Sequence, residues 1–180
     1  MTQEKRVPQV RDIYRGRIVH LTTETVLLPN GHEMELEIVR HPGASAVVPL
    51  ESTGEVILIR QYRHAVGGFI YEIPAGKLSP GEPPELCASR ELTEEAGVVA
   101  GRLSCLGRIV TTPGFTNEVI HLYLAEELTP AQTAHEACEV ISLLRRPLGE
   151  CLAMIARGEI TDAKSICALF LAERHVRSSV

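Results

Sequence analysis

Residues 76–98 read GKLSPGEPPELCASRELTEEAGV. Pro83 and Pro84 suit the first turn of a helix, propensity carries that helix through ELCASRELTEEA, and Gly97 offers a left-handed stop. At about 100° per residue, Glu91 and Glu95 stack one turn apart and Glu94 lies about 60° to one side, so all three share a face. Ala88, Leu92 and Ala96 form an adjoining apolar stripe, which lets the helix dock on a sheet while carrying its acids at the edge. Like charges one turn apart repel by a few tenths of a kcal/mol, so something cationic is expected to offset them. Clustered hard oxygens select Mg²⁺, Mn²⁺ or Ca²⁺, and Mg²⁺ commonly pairs one or two carboxylates with substrate phosphates. Taken alone, RELTEE is more often a solvated helix face, with Glu91 or Glu94 paired to Arg90. The glycines and the spacing reverse that preference.

Outward from this helix the chain alternates in character. Toward the N-terminus, residues 1–12 read as a flexible arm, followed by a strand through RGRIVHLTTETVLL, the hairpin signal Asn30-Gly31 and a return strand over residues 33–40. ASAVVPL and EVILIRQYR are continuous apolar runs parted by Ser52-Thr53-Gly54, which predicts core strands. Beyond the helix, strands are expected at RLSCLGRIV, EVIHLYLAEEL and CEVISLLR, then helices at PLGECLAMIAR, closed by Gly158, and DAKSICALFLAER. Strands, one helix, strands and two helices predict an α+β chain, an α/β/α sandwich with a mixed β-sheet and an N-terminal antiparallel β subdomain.

With 180 residues and 44% hydrophobic content, the chain supports one sizeable core. Residues 1–50 are expected to form the N-terminal strand region and residues 51–180 the catalytic domain. Eighteen Lys and Arg against 23 Asp and Glu leave a net charge of −5, which disfavours a general nucleic-acid or membrane-surface binder. The five cysteines are odd in number, widely spaced and form no CxxC, so reduced thiols in a cytoplasmic protein are expected. No apolar run approaches the roughly 20 residues of a membrane span.

As a pattern, the opening stretch is Gly76, five residues, Glu82, seven residues, Arg90-Glu91-Leu92, one residue, Glu94-Glu95, one residue, Gly97-Val98. So many matched positions should coincide by chance less than about once in a hundred million positions. The pattern resembles an unbroken Nudix box. The surroundings, over about residues 13–170, resemble the ADP-ribose pyrophosphatases and related nucleotide-sugar hydrolases of that family. The pieces that carry this are His41-Pro42-Gly43, Arg60-Gln61-Tyr62-Arg63, Glu72-Ile73-Pro74-Ala75-Gly76, the run Thr112 to Glu118 and the run Gly158 to Lys164. A marker proline of the family falls on Pro113, sixteen residues past Gly97.

The resemblance implies the Nudix fold and Mg²⁺-dependent hydrolysis of ADP-ribose to AMP and ribose 5-phosphate, with Mn²⁺ as a substitute. It implies metal ligands at the Ala75 carbonyl, Glu91 and Glu95, with Glu94 in support and Glu82 and Arg90 orienting them. Substrate contacts are implied at Arg63 for phosphates, Glu72 for the terminal ribose or base, Gly76, Pro113 and Gly114. The catalytic base is implied on a loop before the penultimate strand, at Glu136 or Glu139, with Glu95 beside it in the catalytic set. That loop departs from the family pattern, since Gln132-Thr133-Ala134-His135 stand where relatives carry several acids. A homodimer through the N-terminal strands is implied, although this chain has no Trp and only Tyr14 where relatives stack the base. GDP-mannose, another nucleotide sugar or a dinucleotide are the alternative substrates, and a non-hydrolytic nucleotide sensor the alternative class.

Overall fold

A computed structural model describes residues 9–134 and 140–178. The chain divides into two compact units: the chain up to Pro42 together with Val110–Glu118, and Gly43–Ile109 together with the chain from Val119 onward.

The first unit is an antiparallel sheet in the order β1 (Gln9–Arg15), β2 (His20–Leu27), β3 (Glu33–Arg40). The Asn30-Gly31 turn forms as expected, with Gly31 at φ 85° and its N–H donating to the Leu28 carbonyl at 2.9 Å. Residues 9–12 correct the expected flexible arm, because they pair with β2 from Gln9 opposite Thr25 to Asp12 opposite Thr22. Their polar sequence hid a strand whose stability comes from a partner backbone rather than from apolar alternation. The 110–118 segment joins this sheet where the Val39 N–H donates to the Phe115 carbonyl at 2.7 Å.

In the second unit, β4 (Ala44–Pro49) and β9 (Val119–Pro130) run parallel at the centre of a four-stranded sheet, with β7 (Ala75–Lys77) and β8 (Val98–Val110) outside them. A second, antiparallel sheet has β5 (Glu55–Arg63) between β10 (Ile141–Pro147) and β6 (Gly68–Glu72). Helices α1 (Pro84–Ala96), α2 (Leu148–Ala156) and α3 (Ala163–Ser178) complete it. Strand alternation divides the core in two. Ala46, Val48, Val56, Leu58, Leu122 and Leu124 pack with α2 and α3, whereas Val47, Ile57, Tyr123 and Ala125 pack with Ala88, Leu92 and Ala96 of α1. The apolar runs are continuous because both faces are covered, which is the α/β/α arrangement expected from the sequence. Two short strands escaped the sequence reading. β6 and β7 are brief and glycine-bearing, and exist by pairing with β5 and β4 respectively.

Candidate active site

The helix α1 forms as its sequence dictates, opening at Pro84 and closing where Gly97 turns left-handed at φ 67° and donates its N–H to the Thr93 carbonyl. Ala88, Leu92 and Ala96 are buried against the sheet, and that docking carries the acids down with it. Glu91 is 9% exposed and Glu95 4%, so neither belongs to a solvated helix face. Burying carboxylates is costly without compensating partners.

Part of the compensation comes from within the stretch itself. Arg90 Nη1 donates to Glu91 Oε1 at 2.5 Å and to Glu94 Oε2 at 3.0 Å, while its Nε and Nη2 grip Glu82 at 2.9 and 3.2 Å. Glu82 also accepts the Ser79 N–H at 2.9 Å. The Arg90 hydrogen bond, followed by the Ser79 N–H, holds the Glu82 carboxyl down to about 2. The same acids raise the pKa of Arg90 further. Glu95 turns to the strand opposite and accepts the Ala75 N–H at 2.9 Å through Oε2. Gly76, next in that strand, lies so close to Glu91 that a Cβ there would overlap its carboxylate. The structure thus brings Ala75, Gly76, Glu82, Arg90, Glu91, Glu94 and Glu95 into one cluster.

This donor set suits a hard divalent cation. Its side-chain donors are carboxylate oxygens, and the Cys87 thiol, which donates to the Gly76 carbonyl at 3.5 Å, is kept protonated by burial that pushes it up to about 11. Among the described residues no three His, Cys, Asp or Glu side chains are gathered as a metal cage. A cation here would complete its shell from backbone carbonyl, water and substrate oxygens, as Mg²⁺ commonly does.

Arg63 and Glu72 meet each other at the ends of β5 and β6. Arg63 Nε donates to Glu72 Oε2 at 2.8 Å, and Lys164 Nζ donates to Glu72 Oε1 at 2.5 Å. Both Glu72 oxygens are therefore engaged by protein cations, where the sequence reading expected a ribose or base. Gln61, 5% exposed on β5, has a buried side-chain carbonyl with no hydrogen-bond partner among the described residues. Sequence reasoning gave no role to Gln61, Lys164, Asp162 or Ser165. The available signal was a lysine in the first turn of a helix, against the dipole. Pro113 and Gly114 belong to the other unit, in a turn where the Phe115 N–H donates to the Thr112 carbonyl at 3.2 Å. Glu136, Glu139 and His135 lie outside the described residues. Just before them, the Ala134 N–H donates to the Glu94 carbonyl at 3.0 Å.

The NUDIX domain model matches residues 39–167, most of the chain. The chain belongs to the Nudix family. This Nudix chain is 38% identical over 169 residues to an ADP-ribose pyrophosphatase of Bacillus subtilis, covering 93% of this chain and 91% of that protein. It is 39% identical over 168 residues to a methanol dehydrogenase activator of Bacillus methanolicus, covering 92% and 91%. The crystal structure of an ADP compounds hydrolase superposes with a TM-score of 0.83 over 99% of this chain and 98% of the other, at 23% identity, which establishes the Nudix fold.

Proposed function

We propose that this Nudix protein hydrolyses the diphosphate of ADP-ribose to AMP and ribose 5-phosphate, or that of a closely related nucleoside diphosphate sugar, with Mg²⁺ as its cation and Mn²⁺ as a substitute. The observation that carries the reading is the pair Glu91 and Glu95, buried on one helix face and turned onto the Ala75-Gly76 backbone. Their carboxylates, supported by Glu94 and the Ala75 carbonyl, would hold the ions, and Arg90 and Glu82 orient them. When bound, hard divalent ions neutralise the diphosphate and polarise its phosphoryl oxygens. Arg63 takes the substrate phosphates, and Gly76 lines the substrate beside them. Glu136 or Glu139 accepts the proton of the attacking water as it adds to one phosphorus and the bridging oxygen departs with the other. The Ala134 bond to Glu94, two residues ahead of Glu136, supports that loop as the source of the base.

The protein is read as a homodimer joined through its N-terminal strands. Val10, Ile13, Tyr14, Ile18 and Val19 stand exposed there, and such a surface favours cover by a second copy. A cytoplasmic setting agrees with the free thiols of Cys87, Cys105, Cys151 and Cys167. Among the described residues no helix is long and apolar enough to cross a membrane.

The test is phosphate release, coupled to alkaline phosphatase, from ADP-ribose, GDP-mannose, UDP-glucose, NADH and diadenosine polyphosphates with Mg²⁺ or Mn²⁺. Preference for ADP-ribose is expected. Preference for another nucleotide sugar keeps the chemistry and moves the base pocket, and no turnover of any compound favours a nucleotide sensor. Glu95→Gln should abolish nearly all turnover while leaving the circular dichroism spectrum unchanged; substantial turnover in that variant would remove Glu95 from the metal set.

A further inference from the structure

We propose that Lys164 is a positioning residue for the substrate diphosphate, acting through Glu72 on Arg63. The inference rests on reading Arg63 as a phosphate ligand and is independent of the metal ligands.

Glu72 is 3% exposed at the end of β6, and each of its oxygens is taken by a different cation. Arg63 reaches it through Nε alone, although a guanidinium meeting a carboxylate readily forms two parallel bonds. Lys164 on Oε1 shares the Glu72 charge, and Arg63 bonds Oε2 alone in place of closing bidentately. The Arg63 side chain stays 41% exposed, and among the described residues its two terminal nitrogens make no hydrogen bond. An anchored base with a free fork is the arrangement that suits a phosphate ligand, because the fork is oriented before the anion arrives.

The position of Lys164 is itself costly. It is the second residue of α3, at the positive end of the helix dipole, with its side chain only 13% exposed. Asp162 Oδ2, 3.0 Å from Nζ, offsets that cost together with Glu72. Asp162 also accepts the Ser165 N–H at 2.9 Å and its hydroxyl at 2.5 Å, and Ser165 Oγ accepts the Ile73 N–H at 2.9 Å. The helix end that carries Lys164 is thereby tied to the backbone immediately after Glu72, so the two charges hold a constant relation. Without Lys164 the whole Glu72 charge falls to Arg63, whose fork is expected to close on both carboxylate oxygens and withdraw from the anion.

The experiment measures binding of inorganic pyrophosphate, with Mg²⁺, by titration calorimetry, beside kcat and KM on nucleoside diphosphate sugars. Lys164→Met should weaken pyrophosphate binding about tenfold and raise KM in proportion while kcat stays within about twofold. Lys164→Arg should restore most of the affinity. In an Arg63→Met background, Lys164→Met should add no further loss, because the residue acts through Arg63. Lys164→Gln keeps a donor without the charge and serves if the Met variant does not fold. Unchanged pyrophosphate affinity with only a lowered melting temperature, or losses that multiply in the double variant, would overturn the proposal. So would a wild-type protein that binds no pyrophosphate. If wild type turns over no nucleotide sugar while the pyrophosphate pattern holds, the substrate reading fails and the positioning role stands.

Discussion

Gly76 has no left-handed backbone to explain it; what it supplies is the absence of a side chain against the Glu91 carboxylate. The colliding group is the far end of a flexible side chain, so Gly76→Ala should shift that carboxylate and leave the fold nearly unchanged. A displacement of about 1 Å at a reacting centre costs on the order of a hundredfold, and kcat/KM of Gly76→Ala should fall by about that much with an unchanged melting temperature. Activity equal to wild type would show that Glu91 does not need its present position. Glu82 makes a different kind of prediction. Its folded pKa, about 2, lies below its ordinary value of 4.5, so its contribution to stability is present above about pH 4.5 and is lost as pH falls toward 2. Urea melts should therefore find Glu82→Gln less stable than wild type at pH 6, with the gap closing as pH drops through that window. A gap that persists at pH 2 would mean that Glu82 acts through something other than its charge.

At the scale of the element, α1 does two jobs with one surface. Its apolar stripe anchors it in the core shared with Val47, Ile57 and Tyr123, and the depth of that anchorage sets how far Glu91 and Glu95 are withdrawn from water. Leu92 is fully buried in the middle of the stripe. Leu92→Ala should destabilise the protein by about 2–5 kcal/mol in denaturant unfolding, the usual cost of a cavity left by a leucine. A loss below about 1 kcal/mol would indicate that the helix can settle into the space. At the C-terminal end of the helix, Gly97 also receives the chain after β9: the Ala131 N–H donates to its carbonyl at 2.8 Å. With Ala134 bonded to Glu94, two backbone hydrogen bonds tie the box helix to the chain after β9.

For the whole molecule, the second unit contains both apolar cores, while β1 is exposed along its full length. A three-stranded sheet with Ile13, Tyr14 and Val19 in water is marginal by itself. Light scattering should give twice the chain mass, and Ile13→Glu should shift the protein toward monomer because a charge would be buried in the joint. A monomeric wild type would remove the N-terminal strands as a dimer interface.

The chemistry-bearing helix, its caps, its apolar stripe and the continuous core strands were legible in the sequence because each is a local pattern: a period, a cap residue or a spacing that acts within a few turns of chain. The Nudix box belongs to the same class, since its residues are neighbours on one helix and the loop before it. What the sequence could not reveal depends on groups far apart in the chain. Strand β1 exists by pairing with β2, and β6 and β7 by pairing with β5 and β4. Arg90 was expected to assist the acids, but its grip on Glu82, Glu91 and Glu94 together required the loop of residues 77–83 to fold back along the helix. The partnership of Glu72 with Lys164 spans 92 residues, and the Gln61 carbonyl, without a partner among the described residues, is buried on a strand between two others. Sequence alone determined which local elements form and which acids one helix face carries, because backbone geometry and short-range sterics suffice for that. Only the tertiary structure decided which charges meet, because desolvation and hydrogen bonding act between whatever the fold brings together.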